Sequence, residues 1–335
     1  MKRKSLLLFV IFCLVLFTGC AELVFVRGHE SSITPQIYRM RADGTQEVNV
    51  TQSVYSSSFP DVSPDGATIA FSSGTIAGGS VDNVYLIPVN GGERTQLSTG
   101  IYQKFCQRWG LNEYRNRIVF TQLGPAGVNR LYIVDTNGAA QLLTNPGPDY
   151  SDTTADIYYS VRDSRYKVIF SRTHVPTNRK RLFFINADGT GEAGMMTKEI
   201  HDDEDLPVVS HDGRLVAYRA SRFSADTVFE AVRIMTVDDW RLVSEIKLRI
   251  PDQINIRGIG WSRSDRRLYV SMETSDVTGI QFTEERAEIF SMKLDGSDHK
   301  RLTNNKVPDY WPNGIPCRPG FWQFLCAFAD GITGE

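Results

Sequence analysis

Two acidic stretches hold most of the side chains able to do chemistry. Asp149, Asp152 and Asp156 stand close together, and His201, Asp202, Asp203, Glu204 and Asp205 follow as an unbroken run. Carboxylates are hard oxygen ligands, so these clusters suit a Ca²⁺ ion or a basic partner surface. Neither stretch has the Asp-x-Asp-x-Asp-Gly spacing of a calcium loop, so no metal or cofactor is assigned. Of the five histidines, His211 and His299 fall in or beside expected turns. His29, His174 and His201 remain, with no His-Glu-x-x-His among them. The candidate binding residues are therefore Asp149, Asp152, Asp156, His174, His201, Asp202, Asp203 and Asp205. No catalytic residue is assigned. Gly189-Thr190-Gly191-Glu192-Ala193-Gly194 has the letters of a dinucleotide motif, but it follows Asp188 in a turn and leads into a short strand instead of a helix. A formal charge of −2 gives no reason to expect nucleic acid.

The elements that must carry these residues repeat. An aromatic residue closes a short apolar strand at Phe25, Phe71, Phe120, Phe170, Tyr218 and Tyr269, at gaps of 46 to 51 residues. Self-similarity at this period marks a β-propeller, one four-stranded blade per unit. Each unit has a first-strand turn such as Ser63-Pro64-Asp65-Gly66, eroded at Ser160-Val161-Arg162-Asp163. A third strand then runs into a tight turn, at Asp43-Gly44, Gly91-Gly92, Asn137-Gly138, Asp188-Gly189, Asp238-Asp239 and Asp295-Gly296. Thr51, Ser98, Thr144, Thr197 and Thr303 end fourth strands. The fold class is all-β, a six-bladed propeller. The first unit lacks its first strand, and Pro308 to Gly314 matches Pro60 to Gly66, so a C-terminal strand is expected to complete the N-terminal blade and close the ring. Trp109, Trp261 and Trp311 are assigned to blade packing. Tyr55, Tyr102 and Tyr150 stand near the starts of loops into three successive blades, where a ring has the position to line a central funnel, but an ordinary structural role is the favoured reading. The segments Asn145 to Asp156, Arg172 to Lys180 and Lys198 to Asp205 are expected as long loops on one face, the binding face.

The N-terminus reads as a leader. Lys2, Arg3 and Lys4 precede an apolar run, Leu6 to Phe17, too short to span a bilayer. It ends in Phe17-Thr18-Gly19-Cys20, which resembles the bacterial lipobox. That resemblance implies a signal peptide over 1–19, lipidation of Cys20, and a membrane-anchored lipoprotein facing the periplasm or the cell exterior. With Ala21 next, it implies the outer membrane in a Gram-negative envelope. The propeller occupies 20–335, with 315–335 as a C-terminal tail. Cys106, Cys317 and Cys326 remain after processing. Any one pair is open to a disulfide, and Cys106 left alone would be a small buried hydrophobe.

Pro60-Asp61-Val62-Ser63-Pro64-Asp65-Gly66 followed by a strand ending in Phe71-Ser72 resembles the repeat of TolB-type propellers. The resemblance spans nearly the whole mature chain and is specific for fold. TolB carries an α/β domain before its propeller and is soluble in the periplasm, whereas here the first repeat follows Cys20 directly. The expected function is a lipid-tethered, non-enzymatic scaffold whose partner is an unidentified envelope protein or peptide. The alternative is a propeller that binds or cleaves polysaccharide in its central funnel.

Overall fold

The computed structural model describes residues 22–28, 34–74, 81–197, 202–224, 227–248, 255–273, 287–305 and 307–316. They form six four-stranded antiparallel sheets in a ring. Blade 1 contains β1 (Glu22–Arg27), β2 (Gln36–Arg41) and β3 (Val48–Asn49). Blade 2 is β4 (Ser57–Val62), β5 (Thr68–Ser73), β6 (Asn83–Pro88) and β7 (Thr95–Gln96). Blade 3 is β8 (Lys104–Trp109), β9 (Arg117–Leu123), β10 (Asn129–Asp135) and β11 (Ala140–Leu142). Blade 4 is β12 (Tyr150–Ser160), β13 (Arg165–His174), β14 (Arg179–Asn186) and β15 (Gly194–Met195). Blade 5 is β16 (Asp203–Val209), β17 (Leu215–Ser224), β18 (Thr227–Thr236) and β19 (Leu242–Lys247). Blade 6 is β20 (Ile256–Trp261), β21 (Arg267–Glu273), β22 (Ala287–Lys293) and β23 (Lys300–Arg301), and β24 (Asp309–Gly314) returns to blade 1 beside β1.

The repeated aromatic is buried because it pairs across the blade. Phe25 faces Tyr38, Phe71 faces Tyr85, Phe120 faces Tyr132 and Phe170 faces Phe183, with ring centroids 5.7–6.1 Å apart. Such pairs contribute about 0.5–1.5 kcal/mol each beyond their buried area. In blade 6 the mark falls one residue from where the sequence reading put it. Ser262 N–H donates to Arg267 O as Ser63 N–H donates to Thr68 O, so Val270, paired with Phe290, holds the place of Phe71. Tyr269 lies on the other sheet face, packed with Phe25 and Ile289. A shift of one residue in a strand reverses the side-chain direction.

The closing strand is where the repeat required it, but in a different register. Gly314 pairs with Leu23 and Asn313 with Val24, as Val62 pairs with Ile69 and Asp61 with Ala70. Trp311-Pro312-Asn313 therefore corresponds to Phe59-Pro60-Asp61, four residues away from the match to Ser63-Pro64-Asp65. The Pro-x-x-x-Pro spacing of the model repeat makes the two registers alike on paper. Only the ladder separates them.

The turns explain the residues that mark them. Ser63 Oγ donates to Asp65 and accepts from Thr68 N–H, and Ser210 does the same with Asp212 and Leu215. Blade 4 has a shorter variant, in which Ser160 Oγ donates to Asp163, three residues on, and accepts from the Asp163 N–H. The fourth-strand hydroxyls reach back to their own blade. Thr51, Ser98, Thr144 and Thr303 accept from the N–H groups of Ile37, Val84, Leu131 and Ile289. Gly44 sits at φ +87°, where an added Cβ would meet Leu302 O of blade 6 at 2.5 Å, so this turn needs glycine both for its backbone and for its neighbour.

Candidate functional site

The loop face carries the acidic residues, but it does not present them. Blades 4 and 5 extend their second and third strands toward that face, so much of what the sequence suggested as loop is strand. Asp152 and Asp156 lie within β12, and Arg172 to His174 and Arg179 to Lys180 lie in β13 and β14. Only the short stretch Val175–Thr177 turns between them. Extension brings four of the carboxylates, Asp152, Asp202, Asp203 and Asp205, opposite a cation. Asp152 is fully buried and accepts from Arg172 Nε at 2.7 Å and Nη2 at 2.8 Å. Asp205 accepts from Arg219 Nε at 2.6 Å and Nη2 at 2.5 Å, and from Lys180 Nζ at 2.9 Å. Asp202 lies between Arg222 and Arg233, and Asp203 meets Arg179 and the Lys180 N–H. Burial would raise Asp205, but the charge and hydrogen bonds of Arg219, aided by Lys180, hold its carboxyl below the usual range. Glu204, buried beside them, is pushed up to about 7 by burial, against its hydrogen bond from Thr197 and the pull of Arg181 and Arg233.

Asp152 is also a copy of a structural device. In blade 1, Arg27 donates to the fully buried Asp309 at 2.7 and 2.9 Å while lying over the Phe25 and Tyr38 rings. In blade 4, Arg172 grips Asp152 and lies over Phe170 and Phe183. The same Asp–Arg–aromatic stack thus recurs across the ring and accounts for Asp152 without a ligand. Among the predicted residues only Asp149 is an exposed carboxylate. Its carbonyl accepts from Val175 N–H, and His174 nearby contacts Tyr150, ring centroids 5.3 Å apart, and Thr177 Oγ1 at 2.7 Å. His201, Cys20, Cys317 and Cys326 lie outside the described residues. The residues missed in sequence are the arginines. Their signal was the Arg one or two places beyond the strand-closing aromatic, in Phe25-Val26-Arg27, Phe170-Ser171-Arg172 and Tyr218-Arg219.

Asp156 belongs elsewhere. The six inner strands enclose an axial channel with two layers. In five of them a bulge places one residue at positive φ: Phe59, Cys106, Thr154, Leu206 and Trp311. With Ile259 these line one narrow cavity of the channel. Trp311 is therefore a channel residue, 4.8 Å from the Phe59 ring, and not a blade-packing tryptophan. Trp109 and Trp261 are buried as expected, Trp261 Nε1 donating to Val208 O. The Cys106 thiol faces the channel and is otherwise walled in, which pushes it up to about 12.

The second layer lies toward the hairpin turns and is polar. Asp61, Arg108, Asp156 and Asn313 stand there with Pro64, Leu111 and His211, lining a second cavity. Asp61 accepts from Trp109 N–H at 2.6 Å and from Asn313 Nδ2, and Arg108 Nη1 is 3.3 Å away. Asp156 accepts from Val209 N–H at 2.8 Å. Each carboxylate thereby ties its blade to the backbone of the next. Burial raises both, Asp156 to about 7, against the attraction of Arg108. Burial also opposes a charge on His211, but the hydrogen bond to Asp265 overcomes it and raises the imidazole. Asp156 is roughly 20 Å along its strand from Asp149. The structure therefore does not unite the predicted acidic group. The described residues contain no cluster of three or more metal-ligating side chains.

No protein-family model and no curated protein matches this chain. Solved structures do. TolB from Acinetobacter baumannii is similar with a TM-score of 0.65 and 16% identity, over 88% of this chain and 67% of that one. The fold is that of a TolB-like six-bladed propeller. A putative TolB from Agrobacterium tumefaciens is similar at 0.57 and 14% identity, over 88% and 91% of the two chains. The periplasmic gluconolactonase PpgL of Pseudomonas aeruginosa shares the fold at 0.54 and 11% identity, over 88% and 99%. Identities this low establish architecture. A gluconolactonase among the neighbours shows that the same ring also hosts enzymes.

Proposed function

We propose that the protein is a lipid-anchored component of the cell envelope whose propeller binds a protein or peptide and carries out no chemistry of its own. One observation carries this reading. Val54, Ile101, Tyr102, Tyr150 and Val175 are exposed apolar residues on the loop-face connections of successive blades, Val54 and Ile101 being 81% and 79% exposed. Exposed apolar residues beside an aromatic-lined channel suit burial against a partner. The carboxylates around them are engaged with the protein's own arginines, which suits a rigid platform. The TolB-like fold and the lipobox-like leader support an envelope location.

The test is crosslinking and capture from native membranes. Wild-type protein should capture a partner, and Val54→Asp with Ile101→Asp should abolish capture while leaving the melting temperature unchanged. Capture unaffected by the double substitution would overturn the role given to these apolar residues. Cys20→Ser should move the folded propeller from the membrane to the soluble fraction. Retention in the membrane would remove the anchor.

A further inference from the structure

We infer that the propeller stands on the bilayer by its hairpin face, with the loop face turned away. This rests on the lipid-anchor reading of Cys20. Glu22 holds the place in blade 1 that Thr68 holds in blade 2, because Ile315 N–H donates to Glu22 O as Ser63 N–H donates to Thr68 O. The described chain thus begins at the hairpin end of β1. It leaves at the same place: Pro316 O runs against Gly66, 2.7 Å from where a Cβ there would sit. Both ends of the ring therefore meet at one point of one face.

The tether at that point is short. Ala21 alone separates Cys20 from Glu22, which permits a reach of about 7 Å. A flexible linker lets a domain rotate freely over a membrane, but a linker this short does not. The loop face then stands about one strand away, roughly 20 Å for a six-residue strand. The hairpin face offers exposed groups of both signs, Arg115, Arg162, Arg165 and Arg214 on the inner turns, Asp43 and Asp295 on the outer ones. Mixed charge suits a zwitterionic headgroup surface. On this placement the partner of the exposed apolar residues reaches them from the aqueous side.

The test uses the full lipidated chain with Cys106, Cys317 and Cys326 replaced by serine. One fluorophore is attached through Asn137→Cys, in a blade 3 hairpin turn, or through Asn145→Cys, in the loop following the same blade. The protein is reconstituted in phosphatidylethanolamine–phosphatidylcholine vesicles carrying a headgroup-attached short-range quencher. Quenching several-fold stronger at 137 than at 145 is the expected result. A flexible insert of Gly and Ser between Ala21 and Glu22 should shrink that difference. Equal quenching without the insert, or stronger quenching at 145, overturns the orientation while leaving the anchor intact. Failure of the lipidated chain to float with vesicles overturns both.

Discussion

Asp205 and Asp156 are both buried aspartates on inner strands of neighbouring blades, yet their environments act in opposite directions. Asp205 faces Arg219 and Lys180, and its carboxyl is held low. Asp156 accepts backbone N–H groups, with no cation among the described residues in its hydrogen-bond shell, and burial lifts it to about 7. The first is an ion-pair cluster that locks two strands of blade 5 and, through Lys180, holds blade 4 as well. The second is a hydrogen-bond staple between blades. A carboxylate's role here follows from the group its strand register places opposite it, and clustering in sequence is a poor guide to that.

The largest expected effect is at the ion pair. Arg219→Ala leaves Asp205 and Glu230 buried with much of their compensation gone, and should cost about 3 kcal/mol in denaturant unfolding. Replacing Arg219 and Asp205 together by Met and Leu should recover most of that loss. If the single and double variants are equally unstable, the pair does not act as described. At the staple, Asp61→Ala strips an acceptor from Trp109 N–H and Asn313, at a cost of about 2 kcal/mol. Amide exchange at Trp109 should rise more than elsewhere in β8, and uniform loosening would argue against a local staple.

The pH dependence separates the two classes more finely. An aspartate at about 7 in the fold and near 4 when unfolded keeps its proton in the native state across that window. Its contribution to stability is therefore fully present below pH 4, and is lost as pH rises toward 7. Asp156→Asn should flatten part of that decline, on the order of 2 kcal/mol, with Glu204 and Glu230, also raised by burial, supplying the same sign. Asp205 works in reverse: its contribution is present above pH 4 and is lost on acidification. Asp205→Asn should remove that acid-side loss. A slope unchanged in Asp156→Asn would show that the staple does not titrate in this range. The smallest effect is at Asp149, where exposure predicts that Asp149→Ala shifts unfolding by less than about 0.5 kcal/mol. Unaltered partner capture by that variant would also leave the predicted acidic group without a contributing exposed carboxylate.

Much of the fold is readable along the chain because it depends on neighbours in sequence. A Ser-x-Asp-Gly turn is closed by its own side chains, a tight hairpin by its own glycine, and the period of about 50 residues by the blade that each unit must build. Even the eroded Ser160–Asp163 turn is closed by its own Ser and Asp side chains. The need for a closing strand was readable as well, since a ring with an unpaired β1 has an open edge. Other features depended on residues distant in sequence. The four-residue register of β24, the one-residue offset at Val270, the channel position of Trp311 and the cations facing Asp152, Asp202 and Asp205 were all decided by what lay across a ladder or in the next blade. Side chains alternate with a period of two, so a small slip reassigns each one to a new partner. A local pattern contains no term for that choice, and packing of six sheets around one axis supplies it.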